Sequence, residues 1–282
     1  MNIDIHVHPA FYEAINKDAD KEEYRHSVLD VHKNGIASLQ HIFNQMKCAN
    51  LDKLVLLPED YTSCEGDVVV SNYEIKSIVD LAPEKFIGFA SIDPFREDAL
   101  EELEKAFKEY NLKGLKLHLG RLKIYPMNER LKSIYELCIR YNKPIIFHSG
   151  FSWEPNSISK YTHPLEFEEV AINYPRLRIC LAHFGWPWVK ETSMLMLKYP
   201  NVYADTGILY FDSAREFYNQ VFTKDIPITW IERSLRHQIM FGSNNPRFEQ
   251  IRMVEALKEL GLSKNSLELI MGENAIRFIE GL

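Results

Sequence analysis

The chain has 282 residues, 46% of them hydrophobic and 26% charged, which is the profile of a globular protein rather than a fibrous or disordered one. Its net charge of -7, with no basic stripe or tail, argues against nucleic-acid binding, and no run approaches the ~18 apolar residues of a membrane span. Asp4 and two histidines interrupt the first apolar stretch, so no export signal is expected; four scattered cysteines (Cys48, Cys64, Cys138, Cys180) fit a reducing compartment, and a cytoplasmic location follows as an expectation.

The first predicted strand, about 2–7, ends in Asp4-Ile5-His6-Val7-His8. In an extended strand alternate residues point the same way, so Asp4, His6 and His8 are expected on one face, with both imidazoles in reach of a single ion. A rim insertion at about 9–34 follows, with the charged stretch Lys17 to Glu23. It reads as a lid or partner contact, or as a solvated surface helix.

Further strands are expected at about 53–57, 86–92, 114–118, 144–148, 177–182, 201–205 and 238–242. Lys116 and His118 share a face of the fourth. A helical stripe of Leu131, Ile134, Tyr135, Cys138 and Ile139 leads to the fifth, which ends in His148. The sixth ends in His183, the seventh in Asp205, and the eighth runs into Gly242-Ser243-Asn244-Asn245-Pro246. A second stripe, Ile251, Val254, Leu257 and Leu260, comes after it. Eight strands alternating with helices predict an α/β fold, a (β/α)8 TIM barrel spanning 1–282 as a single domain, with the site where the strand-end polar residues converge. An open doubly wound sheet is the competitor, but His8-Pro9 stands where its glycine-rich phosphate loop belongs.

The ordered set Asp4-x-His6-x-His8, Phe147-His148-Ser149-Gly150, Ala182-His183-Phe184-Gly185 and Phe241 through Pro246 resembles the amidohydrolase superfamily. The closer likeness is to its amidohydrolase-related (amidohydrolase 2) branch, which includes lactonases and aromatic-acid decarboxylases. Phe86 to Ala90 with Asp93-Pro94, Gly114 to His118, and Tyr203 to Thr206 extend the likeness along nearly the whole chain. The resemblance implies His6, His8 and His148 as ligands of one divalent metal ion, zinc first and manganese second. Neutral imidazoles suit zinc on independent grounds, and a bound metal lowers the pKa of its water toward ~7. His183 would polarise a substrate carbonyl or steady an oxyanion.

Where the family has a metal-binding aspartate that also acts as the base, this chain has Asn244. A carboxamide can offer its oxygen to a metal but cannot serve as a base near neutral pH. An introduced Asp-to-Asn change, a natural variant with another base, and a loss of activity all stay open. Asp205 is the nearest spare carboxylate, either orienting a neighbour or acting as base. Lys116, His118, Arg121, Trp153 and Arg247 are the candidate substrate contacts, suited to a small carboxylated or aromatic molecule. The leading expectation is a metal-dependent hydrolase that attacks a C–O or C–N bond of a small molecule, of lactone or amide type, through a metal-bound water. The alternatives are a metal-dependent decarboxylase of an aromatic or unsaturated acid and a non-catalytic metal or ligand-binding barrel. Self-association into a homo-oligomer is left open.

Overall fold

The apolar runs become parallel strands that close into a barrel. The computed structural model describes residues 1–29, 35–207 and 213–281. Its barrel strands are β1 (Ile3–Val7), β2 (Lys53–Leu56), β3 (Phe86–Gly88, continued by Ala90–Ser91), β4 (Leu115–Leu117), β5 (Ile145–Phe147), β6 (Ile179–Leu181), β7 (Val202–Asp205) and β8 (Ile239–Met240). Each pairs in parallel with the next in chain order. The ring closes where Ile5 N donates to Phe241 O at 2.9 Å, Asn244 N to His6 O at 3.0 Å and His8 N to Asn245 O at 2.8 Å. The result is the expected (β/α)8 barrel.

Strand residues alternate between two cores, as the period of two demands. Ile145 and Phe147 pack in the shell beneath the helices, and Ile146 packs inside the barrel with Ile5, Val55, Phe89, Cys180 and Met240. His148 continues the inward phase of Ile146, Lys116 sits between outward Leu115 and Leu117, and Asp205 follows outward Ala204. Cys138 and Cys180 are buried and none of the four cysteines is in a disulfide.

The outer helices include α1 (Ala19–Leu29), α2 (Leu39–Cys48), α3 (Asn72–Leu81), α4 (Ala99–Lys108), α5 (Glu129–Arg140), α6 (Glu168–Asn173), α7 (Val189–Lys198), α8 (Ala214–Asn219), α9 (Gln250–Lys258) and α10 (Asn274–Glu280). Polar caps start several of them: Ser38 before α2, Asn128 before α5, and Ser71 with Glu74 in a capping box before α3. The α5 stripe buries Leu131, Ile134, Tyr135 and Cys138 as expected. In α9 Val254 and Leu257 are buried and Leu260 packs against the core as expected, while Ile251 departs from the stripe. Gln250 turns inward to a buried carboxylate, Ile251 is left 37% exposed, and Met253, Val254, Ala256 and Leu257 carry the packing. No helix among the described residues is long and apolar enough to cross a membrane.

Two rim features were not evident from periodicity. Glu59–Asp60 pairs antiparallel with Val68–Val70 just beyond β2. Within the 9–34 segment, whose residues 30–34 lie outside the described part, α1 is not merely a solvated helix. Its Arg25 is fully buried and donates to Val69 O, Ile15 O, Asn16 Oδ1 and Glu74 Oε1, which pins the segment to the barrel.

Gly150, two residues past His148, has φ +85°, and a Cβ there would stand 2.2 Å from the Trp186 carbonyl oxygen. Gly150→Ala should therefore lower the unfolding free energy by about 1–3 kcal/mol, the scale of a strained left-handed residue, measured by chemical denaturation. A loss below ~0.5 kcal/mol would show that this loop yields freely.

Candidate metal centre

The C-terminal ends of the strands hold the sequence-predicted residues around one pocket of about 570 Å³, its open mouth included. His8, Lys116, His118, His148, Trp153, His183, Asn244 and Arg247 line it. His6 lies fully buried just beneath, in contact with His8 and His183.

The expected face of β1 is split. The pairing register slips between Asp4 and Val7, and this bulge separates Asp4 from the two histidines. Asp4 accepts from Ser243 N and Oγ, Gln250 Nε2 and His6 N, so it ties β1 to the loop after β8. His6 and His8 instead bring their Nε2 atoms to 3.1 Å from each other. Asn244 is held beside them through its backbone bond to His6 O, at φ +61°, a left-handed conformation that asparagine tolerates.

Hydrogen bonds set the ring states. A carboxylate or carbonyl only accepts, so a histidine nitrogen facing one must carry the proton. His6 Nδ1 stands 2.9 Å from Asp205 Oδ2, which leaves a lone pair on His6 Nε2. His183 Nδ1 stands 2.6 Å from Gly207 O, so its Nε2 is the acceptor for His148 Nδ1 at 3.1 Å. That leaves a lone pair on His148 Nε2, which is buried and has no partner among the described residues. His8 Nδ1 faces Glu59 Oε1 at 3.6 Å, which favours the same state with Nε2 bare. Burial, the largest cause in each case, drives His6, His148 and His183 well below the usual histidine pKa and His8 to about 4, so all are neutral at pH 7.

The His6–His8 pair has the spacing of two ligands of one divalent cation. Two nitrogens bound to zinc at ~2.1 Å stand roughly 3.0–3.4 Å apart, which matches the His6–His8 separation. Each imidazole has its second nitrogen toward an acceptor, the arrangement that orients metal-binding histidines. The group of described residues whose donor atoms all lie within 4.8 Å of one another is instead His6, His183 and Asp205, and it includes neither His8 nor His148. Within that group Asp205 already accepts from His6 Nδ1, His183 N and Gly207 N. Asp205 is thus an orienting carboxylate, one of the two roles read from its position.

The pocket wall differs in part from the reading by sequence. Lys116 is 2% exposed and its Nζ makes no hydrogen bond among the described residues; burial lowers its pKa. His118 stacks on His148 with ring centroids 3.7 Å apart. Arg247 lines the pocket and donates to Leu29 O. Arg121 does not line it. Its guanidinium is paired with Glu65 and Glu154 and lies over the Tyr61 ring, because the turn after β4 folds it back under the rim. Glu59, Glu154, Phe11 and Leu29 line the pocket without having been singled out. Phe11 and Glu154 come from loops, Leu29 from the end of α1 and Glu59 from the short rim strand beyond β2, places where no barrel periodicity marks a functional side chain.

A family model described as Amidohydrolase matches residues 3–280. The chain belongs to the amidohydrolase family. The uncharacterized TIM-barrel protein Bb4693 from Bordetella bronchiseptica shares 19% identity at a TM-score of 0.75, covering 99% of this chain and 98% of that one. A dihydroxybenzoic acid decarboxylase from Polaromonas sp. JS666, with bound manganese and the inhibitor 2-nitroresorcinol, shares 16% identity at a TM-score of 0.68, covering 99% and 96%. Among curated proteins, fluG of Emericella nidulans is 26% identical over 87 residues, 31% of this chain. The match spans only 10% of fluG's length.

Two outcomes test the centre. His6→Ala and His148→Ala proteins should each retain roughly tenfold less divalent metal by elemental analysis, since each loses a ligand. Undiminished metal in both would remove the site. Asp205→Asn should keep the far-UV circular dichroism spectrum yet bind zinc ~10–100-fold more weakly in a competition titration, because it no longer holds His6.

Proposed function

We propose that this chain is a metal-dependent hydrolase that cleaves a C–O or C–N bond of a small molecule, of lactone or amide type. The observation that carries the reading is a set of neutral imidazoles at one pocket: the Nε2 atoms of His6 and His8 stand 3.1 Å apart, His6 and His148 are held through Nδ1, and His148 Nε2 is left without a partner among the described residues. His6, His8 and His148 would hold the cation, with the Asn244 carboxamide oxygen available beside them. When bound, such a cation supplies Lewis acidity and a water that ionises near neutral pH. Zinc suits the three imidazoles best, and manganese is the second choice.

The protein's own groups supply the rest. His183 has both ring nitrogens engaged, so in this reading it positions His148 rather than donating to a substrate carbonyl. The Asn244 carboxamide can donate N–H to a developing oxyanion, a contribution worth several kcal/mol at such a site, roughly 3–4 where measured for an asparagine. Phe11, Leu29 and Trp153 give the pocket an apolar wall that favours a flat or aliphatic body over a polar one.

A second reading, decarboxylation, has one observation in its favour. Lys116 and Arg247 put two cationic side chains into the pocket, which suits a carboxylated substrate, and the Polaromonas relative is a decarboxylase. Assays of zinc- and manganese-loaded protein against lactones, amides and carboxylated aromatics separate the two. The expected result is ring opening or amide cleavage that disappears on chelation and returns with metal, without CO2. Metal-dependent CO2 release with no hydrolysis would give the decarboxylase reading the place.

A further inference from the structure

Asn244 cannot take a proton from water, so a pocket that hydrolyses must find its base elsewhere. Among the described residues, four carboxylates lie in or under it. Asp4 is consumed by Ser243, Gln250 and the His6 amide, and Asp205 by His6, His183 and Gly207. Neither lines the pocket. Glu59 does, but its Oε1 accepts from the Tyr61 hydroxyl and is the oxygen that faces His8 Nδ1, at 3.6 Å. Glu154 remains.

Glu154 follows β5 on the loop beyond His148, is 9% exposed and lines the pocket. Arg121 Nη1 donates to its Oε2 at 3.1 Å, and His118 Nε2 lies 3.7 Å from the same oxygen; Oε1 takes part in neither contact. The His118 ring in turn stacks on His148, so Glu154 sits one side chain away from the metal-binding group. Resting on the hydrolase reading above, we propose that Glu154 is the proton-transferring carboxylate of this pocket, in the role that Asn244 leaves vacant.

The step balances. The water oxygen bonds to the acyl carbon while one of its protons passes to Glu154. The bond from that carbon to the leaving oxygen or nitrogen then breaks with its electron pair, and Glu154 returns the proton to the leaving atom. The other proton stays on the acid product.

The surroundings suit both halves. Burial, then the charge of Glu59, pushes Glu154 up to about 7, against Arg121, Arg247 and Lys116, which pull the other way. Tyr61, under the Arg121 guanidinium, and His118 complete the titratable groups that face it. A group poised there holds both protonation states near neutral pH, and the ideal general base has its pKa near the working pH. A base must be deprotonated, so the rate should rise with pH through about 7.

The test uses metal-loaded protein. Infrared difference spectra taken across neutral pH should show a carboxyl group titrating near 7 that is absent in Glu154→Gln. With a substrate found in the panel above, Glu154→Gln should lower kcat by ~10²-fold or more and flatten the acid limb of kcat/KM. Asn244→Asp in the Glu154→Gln background should restore at least ~10-fold, because it returns a carboxylate to the rim of the eighth strand. The proposal is overturned if the infrared band persists in Glu154→Gln, or if kcat falls while the limb stays and Asn244→Asp rescues nothing, which is the signature of a structural role through Arg121. The infrared arm needs no substrate, so a chain that turns over nothing in the panel would sink the hydrolase reading while leaving Glu154 decided by its band.

Discussion

Closure of the barrel between its first and eighth strands is the constraint on which the site depends. A parallel ring has no free edge only if the last strand meets the first, and here the meeting is short: three backbone hydrogen bonds and the contacts of one carboxylate. Asp4 gathers the Ser243 amide and hydroxyl, the Gln250 amide group and the His6 amide. Burying that carboxylate raises its pKa to about 6, and the donors around it offset the desolvation. The same clamp sets Asn244 beside His6 and turns α9 so that Gln250 faces inward. Structure and site thus share one seam.

Above the seam the histidines are ordered by what accepts from them. Asp205 holds His6, Gly207 O holds His183, and His183 holds His148. Because each contact removes one ring nitrogen from competition, the lone pairs that remain are directed by the fold rather than by chance rotamers. Burial reinforces this by keeping the rings neutral, as a cation site requires. Membership of the amidohydrolase family and the barrel itself agree with such a centre, and the chain's departure at Asn244 moves the question of proton transfer to the loops.

That question has a physical answer in how the pocket distributes charge. Carboxylates under the floor are spent on hydrogen bonds and serve geometry. Of the two described in the wall, one faces the His8 ring and the other lies beside a guanidinium that is itself shared with Glu65. Lys116, unpaired and buried, adds positive charge on the opposite side of the balance.

By itself the sequence determined the barrel and the identity of the histidines. Runs such as Ile145 to Phe147 and Ile179 to Leu181 become buried strands because parallel strands bury both faces, and a polar residue ending such a run must lie at a rim. Those relations are local and survive in one dimension. Three decisions belonged to the tertiary structure. The bulge in β1 separated Asp4 from His6 and His8, because register is set by the partner strands and not by the alternation of one segment. The pairing of Arg121 with Glu65 and Glu154 drew it out of the pocket wall, because a charged side chain near the surface goes to whichever partner the folded loops present. Glu59 entered the pocket from the short rim strand beyond β2 and Glu154 from the loop after β5, segments that carry no periodic signal, and their positions follow only from how the closed barrel arranges its rim.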